Sequence, residues 1–333
     1  MKPPARRKVS ALIKERRIEN VEVLGIEMPY LVPIRPKVNT YRATLTKIKV
    51  GNLVGWGEFL IFGERFWPVH PDLHRYLKES LMGRDLFSMF EVIYDSRIDF
   101  GVGLEIAYLD LIGKIVGTPW SNIYGRKKDS SPVVYTYAPG IPATQDFHNF
   151  DYIMFVSSGS WDKDEEVLQT LEITTGIYWP TPDTMELADE FGLLVLSENP
   201  IARYTDIPLL NKYNYLTFLS QRAFWDYDYV MIDVSTFGVT KSMRIADILE
   251  SYGIVPILFP GFSSSLLNSV AFHIALLYAD ALLVLTSHLI HEDIGSPSFT
   301  VEEGEAYDIG RPGNGCWINH GIVSKYAVNL STQ

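Results

Sequence analysis

The stretch Gly192-Leu193-Leu194-Val195-Leu196-Ser197-Glu198-Asn199-Pro200 decides the fold of this chain. Its apolar run has the length of a β-strand and is too short for a buried helix, and Asn-Pro closes it. A strand that is apolar at every position is covered on both faces, as in parallel sheets. Glu198 stands where this strand ends, and in α/β barrels the strand ends carry the chemistry. Glu198 is therefore a candidate functional residue, with a loop carboxylate of no chemical role as its alternative.

Short apolar runs of the same kind recur through the second half of the chain and alternate with helix-like segments such as 184–191 and 241–252. This alternation indicates a parallel sheet, and seven or eight such units close into a β/α barrel of the TIM type. Some connections are too short for a full helix, which indicates a trimmed barrel. The predicted strands are 132–136, 152–156, 193–196, 216–219, 229–232, 254–258 and 281–285.

The first third of the chain has a different pattern, in which a small antiparallel β-meander precedes amphipathic helices. The predicted strands are 21–24, 41–50 and 53–58, and the predicted helices are 70–82, 86–93 and 103–116. A polar run at 126–131 indicates a linker. We therefore divide the chain into a basic N-terminal extension (1–17), an α+β domain (18–130), a barrel domain (131–309) and a C-terminal segment (310–333).

Composition excludes several classes of function. The 333 residues are 47% hydrophobic and 21% charged, as in globular proteins. The net charge is −11, so we expect no nucleic-acid partner, because polyanions are bound through Lys and Arg. The single cysteine, Cys316, fits a reducing compartment, and no apolar run has the length that spans a membrane. A cytoplasmic protein without a membrane partner is the expectation.

Several short motifs follow one another in a fixed order along the chain. They are Leu53-Val54-Gly55-Trp56-Gly57-Glu58, residues 105–119 with Ile123-Tyr124-Gly125, Ser197-Glu198-Asn199-Pro200, Ile232-Asp233-Val234 with Gly238-Val239-Thr240, and Arg311-Pro312-Gly313-Asn314-Gly315. Each motif is weak alone. As an ordered set spanning about residues 18–325, they resemble the enolase superfamily, in particular its mandelate racemase and muconate lactonising enzyme branches.

The resemblance implies an α+β capping domain over a modified barrel, with the last segment of the chain returning to the cap, and a homo-oligomer. In that family a Lys or His base removes a proton next to a carboxylate, and Mg²⁺ stabilises the enediolate. Charge that develops on the substrate needs a fixed cation, and Mg²⁺ prefers carboxylate oxygens. The resemblance thus implies a metal-dependent isomerase, cycloisomerase or lyase that acts on a small carboxylate.

The chain departs from the family pattern where the metal ligands and bases are expected. Glu198 matches the second metal ligand, but Gln221 stands in place of the third, and Thr174-Thr175 offers no acid for the first. No lysine follows the second barrel strand, where a Lys-x-Lys pair is expected. Asp233 matches the acid of the racemase Asp-His dyad, but Phe259-Pro260-Gly261 replaces the histidine. Because so few charged ligands remain, Mg²⁺ is expected to bind poorly and the ancestral reaction to be lost.

A second candidate site follows the predicted eighth strand. It consists of two imidazoles and two carboxylates, namely His288, His291, Glu292 and Asp293. Such a group is able to bind a transition metal or to supply a general base. Its spacing matches no zinc signature, so a solvated loop is the structural alternative.

The meander supplies candidates for a substrate pocket. They are Trp56, Glu58 and Phe62, on the face that we expect the cap to turn toward the barrel. Asp233 has its own structural alternative, since a strand-end aspartate is also able to cap the next helix.

Three hypotheses for function stay open. The first is a divergent enzyme of the superfamily that acts on a small carboxylate with an altered set of bases. The second is a pseudoenzyme whose barrel binds a ligand or a partner without turnover. The third is a different enzyme on the same barrel, with a relocated site around His288 and His291. The missing lysines favour the second hypothesis, while the retained Glu198 and Asp233 keep the first open.

Overall fold

The structure is a computed structural model. It describes residues 15–34, 38–61, 71–94, 101–141, 149–171, 176–178, 184–197, 206–211, 214 and 227–328. Of the predicted site residues, Phe62, Glu198 and Gln221 lie outside these ranges, as do Thr174 and Thr175 and most of the basic extension.

The N-terminal meander forms a four-stranded antiparallel sheet. Its strands are β1 (Asn20–Pro29), β2 (Thr40–Val50) and β3 (Leu53–Leu60). Gly51 and Asn52 form the tight turn between β2 and β3, and Gly51 has the positive φ of 60° that favours glycine. The fourth strand, at Ala327–Val328 near the end of the chain, pairs with β1 through Gly25 and Ile26.

Within the described residues, four helices follow the meander. They are α1 (Pro71–Leu81), α2 (Ser88–Ile93), α3 (Gly101–Val116) and α4 (Trp120–Tyr124). The long helix α3 is buried over most of its length and lies directly on β3. Their backbones approach closely because glycines face each other there: a Cβ on Gly57 would lie 1.8 Å from the carbonyl oxygen of Gly103.

Eight parallel strands form the predicted barrel. They are β4 (Ser130–Tyr137), β5 (Tyr152–Val156), β6 (Gly176–Tyr178), β7 (Leu194–Ser197), β8 (Ile207–Leu210), β9 (Tyr229–Asp233), β10 (Val255–Phe259) and β11 (Leu282–Leu285). Each pairs with the next in chain order, and β11 pairs with β4, for example through Val284 and Val134, so the sheet closes on itself. The predicted fold class is confirmed.

Helices cover the barrel where the structure describes its connections. They are α5 (Trp161–Leu168), α6 (Met185–Phe191), α7 (Val234–Ser251) and α8 (Ser265–Ala275). Gly238, with φ 73° and ψ −173°, interrupts α7 after its first turn. The connection from β7 to β8 contains only residues 198–206, in agreement with a trimmed barrel.

The last part of the chain returns from the barrel to the cap. A hairpin of β12 (Phe299–Glu302) and β13 (Glu305–Asp308) adds to the start of β4, and β13 pairs with it antiparallel. Residues Gly295–Ser296 pair with Trp317–Ile318 as a short ribbon. Helix α9 (His320–Tyr326) then leads to the strand beside β1. No helix in the described ranges has the length and apolar character needed to cross a membrane.

The contact between β3 and α3 gives a first test of the fold. Gly57→Ala would place a methyl group against the backbone of Gly103, which has no flexible side chain to move away. We expect a loss of more than about 3 kcal/mol in the free energy of unfolding, measured by urea denaturation. The control is Gly321→Ala, since the nearest atom to its new Cβ is a side-chain oxygen at 3.2 Å. Equal, small losses in both variants would contradict the packing described.

Candidate functional site

The candidate site lies at the barrel mouth, by which we mean the carboxyl-terminal ends of strands β4 to β11. Parallel strands bring all of these ends to one face of the barrel, where α/β barrels hold their chemistry. The last residues of the eight strands are Tyr137, Val156, Tyr178, Ser197, Leu210, Asp233, Phe259 and Leu285. The residues that follow them decide which reactions the mouth is able to support.

The fifth strand corrects one sequence-based assignment. It runs over Ile207–Leu210 and pairs with both β7 and β9, so the residue that follows it is Asn211 and not Gln221. The assignment of Gln221 to the end of the fifth strand is wrong, because the strand was expected at 216–219. The short run Ile-Pro-Leu-Leu was missed since proline is rare in a central strand.

Asn211 and Asp233 stand side by side at the mouth. They follow Leu210 and Ile232, which pair on adjacent parallel strands. Asp233 is 6% exposed, and Ser235 donates its hydroxyl to Asp233 Oδ1 at 2.6 Å. Asn211 is held by Asn214, whose Oδ1 accepts the Asn211 backbone N–H at 2.9 Å. Both side chains are therefore engaged within their own loops.

The end of the second strand is closed by an internal network. Ser157 directly follows β5, at the position where the resemblance implies the lysine pair. Its hydroxyl donates to Asp164 Oδ2 at 2.6 Å, and the Ser158 N–H donates to Asp164 Oδ1 at 2.9 Å. Ser157 and Asp164 are both buried. The loop thus binds the first turns of α5 and presents no basic group to the mouth.

The end of the seventh strand is filled by the cap. Phe259-Pro260-Gly261 stands where the resemblance implies a histidine, and Gly261 has a positive φ of 74°. A Cβ there would lie 2.6 Å from Leu60 of β3 and 2.8 Å from the Ser235 hydroxyl. A side chain at this position would have to displace the Leu60 and Ser235 side chains, and it would adopt a backbone conformation that favours glycine.

Glu58 of β3 joins the cap to the barrel. It is fully buried, and its carboxylate accepts the Tyr41 hydroxyl at 2.7 Å and the backbone N–H groups of Ser264 and Leu267, each at 3.3 Å. The Ser264 hydroxyl also donates to Glu58 Oε2. Ser264 is the N-cap of α8, so Glu58 lies at the positive end of that helix. Burial raises the pKa of Glu58 to about 7. Glu58 reaches the barrel as expected but is enclosed rather than open to a pocket.

Trp56 has a different environment from Glu58, although the two residues are neighbours on one face of β3. Its ring lies 5.6 Å from that of His320 in α9, and its backbone N–H donates to Asp110 Oδ2 at 2.9 Å. Trp56 therefore packs between the meander sheet and α9, and it supports the fold rather than a substrate pocket.

Glu105 makes a second junction between the cap and the barrel. Its carboxylate, on α3, accepts the backbone N–H of Val239 at 2.8 Å and that of Thr240 at 3.0 Å, and the Thr240 hydroxyl also donates to it. These groups begin the helix that resumes after Gly238, where a Cβ would lie 2.5 Å from Glu105 Oε2. Burial raises the pKa of Glu105. Glu105 belongs to one of the motifs that carry the resemblance, but the sequence around it does not predict its contact with the barrel.

The four residues of the second candidate site have different partners. The His288 ring stacks on Tyr135 at 4.5 Å, its Nε2 lies 2.7 Å from the Thr136 carbonyl oxygen, and burial lowers its pKa to about 4. His291 is exposed, and its Nδ1 lies 3.8 Å from Glu292 Oε1, but Glu292 also forms an ion pair with Lys325. Asp293 accepts the Ser265 backbone N–H at 3.0 Å, at the start of α8. The four side chains do not converge on one point.

A magnesium ion needs several oxygen ligands, preferably carboxylates. Within the described ranges no group of three or more His, Cys, Asp or Glu side chains is placed to hold a metal ion. Asn211 and Asp233 offer one amide and one carboxylate. The Asn211 Oδ1 accepts the backbone N–H of Asn214 at 3.2 Å, and Asp233 Oδ1 accepts the Ser235 hydroxyl. These residues do not by themselves fit a magnesium site, and such a site would need further ligands from outside the described ranges.

Comparisons in sequence find no match among known family patterns or curated proteins. Solved structures match in fold. N-succinyl Arg/Lys racemase from Bacillus cereus has a TM-score of 0.71 at 15% identity, over 94% of this chain and 98% of that one. Dipeptide epimerase from Methylococcus capsulatus, complexed with Mg and the dipeptide L-Arg-D-Lys, has 0.70 at 20% identity, over 90% and 99%. Muconate lactonizing enzyme from Pseudomonas fluorescens, complexed with muconolactone, has 0.72 at 16%, over 94% and 100%. The resemblance in fold is confirmed.

The protonation of Glu58 gives a second test. The folded protein binds the proton of the Glu58 carboxyl group more tightly than the unfolded chain does. Protonation of Glu58 therefore stabilises the fold fully below about pH 4.5, and this stabilisation is lost as the pH rises through about 7. Between pH 4.5 and 8, we expect wild-type protein to lose roughly 3 kcal/mol of unfolding free energy relative to Glu58→Gln. Urea denaturation across this range measures it. Other titrating groups are common to both proteins, so a difference that stays constant with pH would contradict the assignment.

Proposed function

We propose that this chain is a divergent member of the enolase superfamily whose barrel binds a small organic acid without abstracting its α-proton. One observation supports the proposal above the others. The resemblance implies catalytic bases at the ends of the second, sixth and seventh barrel strands. In this chain those ends carry Ser157, Asp233 and Gly261, and each of the three contacts other residues of the protein. No lysine follows a strand end within the described part of the mouth.

The loss of the bases has a chemical consequence. The α-proton of a carboxylate is weakly acidic, so its removal needs a positioned base with a matched pKa and a cation for the developing charge. Ser157 is a poor base and already donates its proton to Asp164, while Gly261 has no side chain. The barrel is retained because its stability depends on packing and not on these groups.

Asp233 supports a second candidate function, that of an enzyme with a single base. It is the one carboxylate among the last residues of the eight barrel strands that the structure describes, and it is buried. The Ser235 hydroxyl donates to its Oδ1 at 2.6 Å, so this oxygen already serves as an acceptor within the loop. The geometry therefore favours binding over turnover.

The ligands of the structural relatives suggest suitable probes. They are an N-succinyl amino acid, the dipeptide L-Arg-D-Lys and muconolactone, which the names of those structures give. Because Asp233 at the mouth is itself an acid, a free carboxylate would be repelled unless a cation offsets this charge. Binding is therefore best measured both with and without Mg²⁺.

Isothermal titration calorimetry tests the proposal. We expect at least one of these acids to bind in 10 mM Mg²⁺ with a dissociation constant of about 0.1–10 mM, and Glu198→Ala to weaken it about tenfold or more. The control is Glu302→Ala, which removes an exposed carboxylate from β12, away from the mouth. Absence of heat for all three acids, with or without Mg²⁺, would contradict the proposal.

A further inference from the structure

The barrel contains a cavity at the end opposite the mouth. Its lining residues come from all eight strands, and six of them are the first residue of a strand. These six are Tyr152, Gly176, Leu194, Ile207, Tyr229 and Leu282. Because neighbouring strands of the barrel are parallel, their first residues lie together at its amino-terminal end. The cavity is therefore separate from the site at the mouth.

The lining of this cavity is apolar. Apart from the rings of Tyr152 and Tyr229, it consists of Gly, Val, Ile, Leu and Met residues. The backbone groups of these strands pair with one another in the parallel sheet. An ordered water needs about two to four polar partners, and an ion that enters such a space loses its hydration without compensation. The cavity therefore favours an apolar group over water or an ion.

The size of the cavity favours a thin apolar group. The interior of an α/β barrel is usually filled by layers of side chains, but here a cavity of about 80 Å³ lies between them. An engineered cavity of about 150 Å³ in another protein binds benzene. A cavity of about half that volume suits the end of an alkyl chain better than an aromatic ring.

The cavity opens to solvent beside two tyrosines. Of its lining residues, Tyr152, Leu194 and Tyr229 are half-buried, whereas the others are buried. All three begin a strand, so the opening lies at the amino-terminal face of the barrel. A chain that enters here keeps its far end in solvent, next to the residues that precede the strands.

Exposed aspartates precede three of the strands at this opening. Asp151, Asp206 and Asp228 stand directly before the first residues of β5, β8 and β9. None of them takes part in an ion pair among the described residues. Asp280 adds a fourth carboxylate shortly before β11, although Lys128 lies near enough to offset its charge. Because like charges repel, the opening disfavours an anionic head group and favours a cationic one.

We propose that the amino-terminal end of the barrel binds a primary alkylammonium ion. The alkyl chain lies in the cavity, and the ammonium group stays in solvent near the carboxylates of Asp151, Asp206 and Asp228. The apolar cavity provides most of the affinity, and the aspartates select the head group. The inference does not rest on the function proposed for the mouth, where the ligand is an organic acid.

A series of head groups on one chain length tests the choice of ligand. Saturation-transfer NMR in Mg²⁺-free buffer of low ionic strength gives dissociation constants for butylamine, 1-butanol and butyrate. We expect butylamine to bind at about 1–10 mM, 1-butanol about tenfold more weakly and butyrate not measurably. Low ionic strength is used because salt screens the attraction of the head group. Butyrate or 1-butanol that binds as tightly as butylamine would overturn the proposal.

The length of the chain tests whether the cavity holds it. From ethylamine upward, each added methylene should tighten binding about fourfold while it still enters the cavity. The gain should end once the cavity is filled, because further methylenes remain in solvent. A gain that continues unchanged up to octylamine would indicate adsorption to the protein surface and would contradict the proposal.

Two substitutions in β4 locate the chain. Val134 lines the cavity, whereas Val133 is fully buried on the opposite face of the strand and does not line it. Val134→Phe directs a ring into the cavity, so it should abolish butylamine binding and lower the unfolding temperature less than Val133→Phe does. Butylamine binding that survives in Val134→Phe, or a loss of stability equal to or larger than that of Val133→Phe, would overturn the proposal.

Substitutions at the opening locate the head group. The double variant Asp151→Asn/Asp228→Asn should weaken butylamine binding about tenfold and leave 1-butanol binding unchanged, since the alcohol carries no charge. The control is Glu91→Gln, which removes an exposed carboxylate from α2 of the cap and should change neither dissociation constant. An effect of the double variant on butylamine no larger than that of the control would refute the assignment.

Discussion

Buried carboxylates of the cap hold this structure together. Glu58 and Glu105 each accept backbone N–H groups at the start of a barrel helix, the first at α8 and the second where α7 resumes after Gly238. Asp110 adds a third contact, since it accepts the backbone N–H groups of Trp56 and Asn314 and pairs with Lys114 at 2.6 Å. Hydrogen bonds and the helix dipole at a helix N-terminus offset part of the cost of burying such a carboxyl group, although burial still raises the pKa of Glu58 and Glu105. The positions of β3, α3 and the last segment all follow from these contacts.

The same contacts limit what the barrel mouth is able to do. Glu58 and Leu60 place β3 over the ends of the sixth and seventh strands, and Gly261 is the residue that lets β3 approach so closely. The resemblance implies a catalytic aspartate and a catalytic histidine at the ends of these two strands. Here the Leu60 side chain lies against Gly261, and this contact adds packing between β3 and the barrel. Conversely, the polar residues that remain, such as Ser157, stabilise loops.

Much of the fold could be predicted from the sequence, because the strands are short apolar runs and the helices are strongly periodic. The second barrel strand has the predicted bounds, 152–156. The fifth strand was misplaced because Pro208 lies within it, and Asn211 was missed for the same reason. Glu58 was expected in a pocket, and it is a junction instead, because its partners Ser264 and Leu267 lie about 200 residues away in sequence. Long-range hydrogen bonds of this kind leave no local pattern. The residues 288–293 share a short segment, but the backbone turns their side chains to different partners.

The central claim is that this barrel keeps the superfamily fold without its carbon-acid chemistry, and proton exchange tests it most directly. The measurement is the incorporation of deuterium at the α-carbons of N-succinyl-arginine and the dipeptide L-Arg-D-Lys, followed by proton NMR in D₂O with 10 mM Mg²⁺. The account predicts no exchange above the rate without protein, both for the wild-type chain and for Asp233→Asn. Exchange that the wild-type chain catalyses and Asp233→Asn loses would contradict it and would identify Asp233 as a working base.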